Sequence, residues 1–208
     1  MDKPTLYVVA GPNGAGKSSY SRIIKENDYE FLNPDEFVKN KMSKGSSEMD
    51  AYKDFIREVD KRIEDRKTFA FETTLAGNRA INLMSKAKDL GYDIKLTFFS
   101  LESKEMHYER VSSRVAKGGH DVPKEMIDRR FEDAYKNLPK AIELSNRATI
   151  FNNSSLGRNE MMTIREGVIE RLNEKVITEP LKKAFPDKTL EVGSNLSVGL
   201  ESSIKMTL

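Results

Sequence analysis

The chain contains no cysteine, so disulfides, thiolate chemistry and cysteine-based zinc sites are all excluded, which fits a reducing compartment. Only two histidines are present, too few for a histidine-rich metal cage. Charge of one sign is also missing: 35 basic against 33 acidic residues leave a net +2, so no overall field draws the protein to nucleic acid or an anionic membrane. A local basic cleft is compatible with that balance. No stretch approaches the roughly 18 apolar residues of a membrane span, and MDKPTLYVVAG lacks the layout of a signal peptide. A soluble, cytoplasmic protein is therefore expected, and 208 residues suffice for one domain with an appendage.

Apolar runs alternate with longer helix-like segments through most of the chain, the pattern of an α/β fold with a parallel sheet. Strands are predicted over 5–10, 30–32, 68–72, 94–101 and 148–151. Helices are predicted from 19, then over 49–67, 77–90, 104–117, 124–138 and 160–176. GGHDVP (118–123) interrupts the fourth of these, because two glycines and a proline do not continue a helix cheaply. Beyond Pro180 the pattern changes, and alternation around Gly193, Ser194 and Asn195 suggests either a terminal hairpin, a strand added to a sheet edge, or a floppy tail.

The sharpest chemical signal is GPNGAGKS, Gly11 to Ser18, which has the form G-x-x-x-x-G-K-S and stands between a strand and a helix. Residues without bulky side chains at Gly11, Gly14 and Gly16 let backbone N–H groups turn inward around a phosphate, and the helix N-terminus adds positive potential behind it. Pro12, Asn13, Ala15 and Ser19 complete the nucleotide loop. Lys17 is expected to reach the β and γ phosphates of ATP, and Ser18 to hold Mg²⁺. No Asp follows a run of four apolar residues as in a Walker B strand, and no N-K-x-D motif is present, which argues against a GTPase.

In FLNPDEF, Asp35 follows a proline at the end of the second strand, facing three readings: catalytic base, metal ligand or helix cap. Glu72 leaves a strand at its carboxyl end, where open α/β sheets build ligand crevices; its structural alternative is an edge carboxylate paired with lysine. Arg110 and Arg114 lie four apart on one helix face before a glycine hinge, as a closing lid over phosphates requires, although surface charge would look the same. His107 reads as a surface residue. Asn153, after the last strand, is a candidate for the adenine edge.

Taken together, GPNGAGKS, NPDEF, FETTLAG, GGHDVP with IDRRF, and FNNSS resemble the zeta toxin family of P-loop kinases, in its compact stand-alone branch, over about residues 5–156. The resemblance implies a three-layer P-loop NTPase fold, with a central mainly parallel sheet, helices on both faces and a helical lid over about 104–138. Residues 1–176 would form the kinase domain and 177–208 an extension. By position, Lys17 matches the P-loop lysine, Asp35 the acid that accepts the hydroxyl proton, and Glu72 and Thr74 the acceptor-pocket residues. Arg110 and Arg114 compete for the first lid arginine. The second would fall near His120, where this chain has none, so Arg129 or Arg130 would replace it; His120 itself either contacts the acceptor or caps a turn.

The best-studied members of that family use ATP to phosphorylate the sugar 3′-hydroxyl of UDP-N-acetylglucosamine, so the resemblance implies ATP as donor, Mg²⁺ and a nucleotide-sugar acceptor, with either a separate antitoxin partner or an activity that is weak or directed at a harmless substrate. The charge balance and the lack of a long apolar run argue for no membrane and against nucleic acid. A regulatory ATP-hydrolysing protein acting through a partner and a polynucleotide 5′-hydroxyl kinase stand as alternatives.

Overall fold

The computed structural model describes residues 3–20, 29–155, 157–185 and 204–205. Thr5–Ala10 (β1), Phe31–Leu32 (β2), Phe69–Thr73 (β3), Asp93–Ser100 (β4) and Arg147–Asn152 (β5) form the parallel part of one sheet. Asn159–Arg165 (β6), Val168–Leu172 (β7) and Ile204–Lys205 (β8) extend it antiparallel, giving the order β2-β3-β1-β4-β5-β6-β7-β8 among the described residues. The register sets Val9 beside Glu72 and Ala10 beside Phe98, so the carboxyl ends of β3, β1 and β4 come together. That edge is where a ligand crevice belongs in an open α/β sheet.

A helix that opens at Lys17 (α1, described over 17–20) follows β1. Then come Pro34–Met42 (α2), Glu48–Glu64 (α3), Arg79–Asp89 (α4), Lys104–Val115 (α5), Lys124–Leu144 (α6) and Glu179–Ala184 (α7). In α3 the apolar positions Ala51, Phe55, Val59 and Ile63 recur every fourth residue and all are buried. Ser47 starts that helix by accepting from the Asp50 N–H at 3.1 Å. The α3, α4 and α6 stripes pack with Leu6, Val8, Phe69, Phe71, Ile94, Leu96 and Phe98 into the main core. A smaller cluster of Val9, Ala15, Ala70 and Phe99 belongs to the other sheet face, with Tyr20 of α1 against it. No described helix is long and apolar enough to cross a membrane.

Two expectations are corrected. The segment expected as a helix over 160–176 is the β6–β7 hairpin, followed by a short 3₁₀ turn at Glu174–Val176. Glu166 and Gly167 both take positive φ, 46° and 77°, the geometry of a two-residue hairpin turn whose twist suits the flanking strands. Thr163, Ile164, Val168 and Ile169 are β-branched, and Gly167 would have cost a helix about 1 kcal/mol. The strand ending ATIF is therefore not the last. Helix α6 also runs past Leu138 and through Pro139 to Leu144, since burial of Ala141, Ile142 and Leu144 offsets the lost backbone bond. The tail around Gly193, Ser194 and Asn195 lies outside the described residues, while Ile204 and Lys205 pair with Ile169 and Val168.

Candidate active site

The loop between β1 and α1 is shaped by close approaches that only glycine permits. A Cβ on Gly11 would lie 2.5 Å from the Phe99 carbonyl oxygen at the end of β4, and one on Gly16 would lie 2.1 Å from Asn153 Nδ2. Both residues also hold positive φ, 139° and 98°. The loop is closed by the Ala15 N–H donating to the Pro12 carbonyl at 3.2 Å, and by Asn153 Nδ2 donating to the Ala15 carbonyl at 2.8 Å. Pro12 and Ala15 are buried, Asn13 is half-buried, and Ser18 and Ser19 are exposed at the start of α1.

Lys17 is only 6% exposed, and its Nζ donates to the Pro12 carbonyl at 3.0 Å. Its charge faces Glu72 Oε1 at 3.8 Å. Burial pushes the Lys17 ammonium down from its ordinary pKa, the Glu72 and Asp35 carboxylates pull it back up, and the positive charges of Arg114 and Arg130 press it down again. Burial pushes the Glu72 carboxyl up, against the pull of Lys17 and of the bond from Ser18.

Glu72 Oε2 accepts from Asn33 Nδ2 at 3.0 Å and from the Ser18 hydroxyl at 3.4 Å. Asn33, like Asp35, stands where a cap is expected from its residue type, but its bond to Glu72 is a link the sequence did not announce. Extended at φ −107° and ψ 123°, as the following Pro34 requires, it caps α2 by accepting from the Glu36 N–H through Oδ1 at 3.1 Å. The helix-cap reading of Asp35 is thereby corrected: Asn33 is the cap, and Asp35 stands exposed in the first turn of α2, where the helix end favours a carboxylate.

Thr74 is half-buried at the exit of β3. The turn beyond it holds Leu75 at φ 60° although the residue is fully buried. Thr73 Oγ1 accepts from the Leu75 N–H at 3.0 Å, and Asn137 of α6 donates to the Leu75 and Gly77 carbonyls at 3.0 Å each, so the strained turn is held from two sides.

Arg110 Nη2 donates to the carbonyls of Asn153 at 2.6 Å and Ser154 at 3.2 Å, tying α5 to the loop after β5. Arg114 instead turns to the hinge, donating through Nη2 to the His120 carbonyl at 2.7 Å, while its Nε is buried without a partner. It is the His120 backbone that meets Arg114; the imidazole side of that residue is exposed. Arg130 of α6 is half-buried, 3.4 Å from Asn13 Oδ1 through Nη1, and within electrostatic reach of Asp35; Arg129 is exposed. His107 corrects the surface reading outright: it is 0% exposed, with Nδ1 2.6 Å from the Asn13 carbonyl oxygen.

Lys17, Ser18, Asn33, Glu72 and Arg130 thus stand at the strand ends around one loop, and Asp35 and Arg114 act electrostatically on Lys17 there. Among the described residues no three His, Cys, Asp or Glu side chains gather into a self-sufficient metal cage. The Ser18 hydroxyl and Glu72 carboxylate nevertheless supply hard oxygen donors beside the loop, which fits Mg²⁺, an ion that takes one or two protein ligands and completes its shell with phosphate and water.

A phosphate loop between β1, the middle one of the five parallel strands, and the helix that follows it is the arrangement of the P-loop NTPase fold. Within it the chain belongs to the zeta toxin family, whose model matches residues 1–160. An uncharacterized protein of Haemophilus influenzae is 26% identical over 123 residues, 58% of this chain and 88% of its own length. The PezAT toxin-antitoxin system of Streptococcus pneumoniae superposes with a TM-score of 0.57 at 16% identity, over 92% of this chain and 82% of that one. The AvrRxo1-ORF1:-ORF2 complex with ATP superposes with a TM-score of 0.63 at 16% identity, over 86% of this chain and 64% of that one. At these identities the two structures speak to fold.

Proposed function

We propose that the protein is a kinase that moves the γ-phosphate of ATP onto a hydroxyl of a small molecule. The observation that carries this reading is the opposition of Lys17 and Ser18 in the glycine loop to an exposed Asp35 at the head of α2, with Glu72 bound between them. Lys17 would pair with the β and γ phosphates, displacing its resting contact with Glu72. Ser18 and Glu72 would hold Mg²⁺, which supplies charge neutralisation of the phosphates when bound. Glu72, expected from the resemblance in the acceptor pocket, is better suited to this metal side because Ser18, Lys17 and Asn33 already surround it.

Asp35 would orient the acceptor hydroxyl and take its proton as the new O–P bond forms, while the bond from Pγ to the ADP oxygen breaks and ADP leaves. Thr74, His120 and Arg130 would line the acceptor side. Arg114, on the glycine hinge, would meet the transferred phosphate with its planar fork, and Arg110 would hold the nucleotide side together with Asn153. UDP-N-acetylglucosamine as acceptor rests on the motif resemblance alone, while ATP is supported by the solved structure that holds it and an antitoxin partner by the PezAT structure.

The test is radiolabelled MgATP with a panel of sugars and nucleotide sugars, comparing the wild type with Asp35→Asn. Transfer to one acceptor class, reduced by about 100-fold or more in the variant with nucleotide affinity retained, is expected. ATP turnover indifferent to the substitution, with no acceptor labelled, would sink the reading.

A further inference from the structure

The apex of the phosphate loop is held from outside by the two helices that flank the GGHDVP hinge. His107 of α5 reaches the Asn13 main chain, with Nδ1 2.6 Å from the carbonyl oxygen, and Arg130 of α6 reaches the Asn13 side chain at 3.4 Å. A carbonyl only accepts, so Nδ1 carries the proton and Nε2 is a bare acceptor. That Nε2 is buried and has no partner. The ring packs edge-on against Phe131, with centroids 5.3 Å apart at 76°. The backbone is equally close: a Cβ on Gly14 would lie 2.9 Å from the His107 carbonyl oxygen, so α5 rests directly on the loop.

If packing were the only task, an apolar ring would fill this place without stranding a polar nitrogen. What the imidazole adds is the bond to Asn13. That bond commits the Asn13 carbonyl to α5, and a loop whose N–H groups must converge on phosphate needs its carbonyls engaged elsewhere.

We propose that His107 is a positioning residue for the phosphate loop, engaging the Asn13 carbonyl so that the loop is preshaped for a nucleoside triphosphate. The proposal rests on the reading of Gly11 to Ser18 as an ATP site. It gives α5 a second task besides presenting arginines, since the same helix that carries Arg110 and Arg114 then sets the loop they face. Because the donor is neutral, it fixes backbone geometry without adding charge to a site already holding Lys17, Arg114 and Arg130.

Three substitutions separate donor from packing. His107→Asn keeps an N–H at the Nδ1 position, His107→Gln moves it out toward the Nε2 position, and His107→Phe keeps the ring against Phe131 but has no donor. Equilibrium titration of the full chain with a fluorescent, non-hydrolysable ATP analogue and Mg²⁺, alongside thermal melting, reads the outcome. The Phe and Gln variants should melt within a few degrees of the wild type yet bind about tenfold more weakly, with Asn within about threefold of the wild type. Phe or Gln variants binding as tightly as the wild type, or an Asn variant as weak as the Phe one, would overturn the role of His107 while leaving the kinase reading intact. Should the Phe variant not fold, the Asn and Gln pair alone decides. Failure of the wild type itself to bind the analogue would overturn both readings.

Discussion

Lys17 Nζ stands 3.8 Å from Glu72 Oε1, and both side chains are buried, so the loop holds the Lys17 charge against an internal carboxylate. Phosphate would take over that role in the loaded enzyme. Glu72→Gln keeps the amide in reach of Asn33 and Ser18 but removes the ion-pair partner of Lys17, leaving Asp35 as the remaining carboxylate that acts on it. Removing one partner of a buried pair is costly, so the free protein should lose about 2–3 kcal/mol, which for a chain of this size is several degrees of melting temperature. MgATP should then raise the melting temperature of the variant by more than it raises that of the wild type. Equal melting temperatures of the two free proteins would show that the pair is not what stabilises Glu72 there.

The loop glycines are not equivalent. At Gly11 an added Cβ meets the Phe99 main chain at 2.5 Å, and β4 cannot yield without disturbing the sheet. At Gly16 it meets only the side-chain amide of Asn153, which can rotate away at the loss of its bond to the Ala15 carbonyl. Gly11→Ala should therefore cost roughly 3 kcal/mol or more in chemical denaturation, and Gly16→Ala only about 1–2 kcal/mol, counting the strained φ at each. Nucleotide affinity should fall in both. Equal stability losses would contradict this division.

The reasons these glycines were legible and their neighbours were not are physical. A backbone that must wrap a phosphate forces small residues at fixed local spacing, so Gly11, Gly14, Gly16, Lys17 and Ser18 declare themselves within eight residues. Asn33, Asn137 and His107 work across separations of 39, 62 and 94 residues, and a lone amide or imidazole has no local pattern. His107 read as surface because its helix is largely polar around it; the packing of α5 on the loop and of the ring against Phe131 of α6 buries it. The parallel strands were visible as apolar runs bounded by breakers, but β6 and β7 alternate imperfectly, and their helical spacing hid a turn that Glu166 and Gly167 decide. One signal was available there: an internal glycine flanked by β-branched residues on both sides.

Acid should act on the fold through His107. Burial pushes its imidazole down to about 4, helped by the charges of Lys17 and Arg110 and opposed by the bond to Asn13. In the unfolded chain the ring titrates near 6.5, so between these values the unfolded state binds the extra proton. The contribution is complete above about pH 6.5 and is lost as pH falls toward 4. Urea unfolding at pH 7 and pH 4.5 should show the wild type losing roughly 2 kcal/mol more than His107→Asn, which has no group to titrate. Parallel losses in the two proteins would mean that the ring is not held neutral.

Arg110 and Arg114 share a helix face but make different commitments, and their kinetics should divide accordingly. Arg110 is engaged with the carbonyls of Asn153 and Ser154, beside the Asn153 amide that closes the loop at Ala15, so its contacts lie on the side of the Gly11 to Ser18 loop. Arg114 is anchored by a single bond to the His120 carbonyl on the hinge, and Gly119 packs so close that a Cβ there would lie 2.5 Å from Arg114 Cγ. Its charge nonetheless acts on Lys17. A hinge movement would therefore carry the Arg114 guanidinium with it, whereas Arg110 is already placed. Arg110→Ala should raise KM for ATP about tenfold with a smaller change in kcat, while Arg114→Ala should lower kcat by about 100-fold or more with KM little changed. Arg114→Lys should recover little, because an ammonium cannot bridge two phosphate oxygens as the guanidinium fork does. Identical effects of the two alanine variants on KM and kcat would assign both arginines to the same task and remove the distinction their contacts draw.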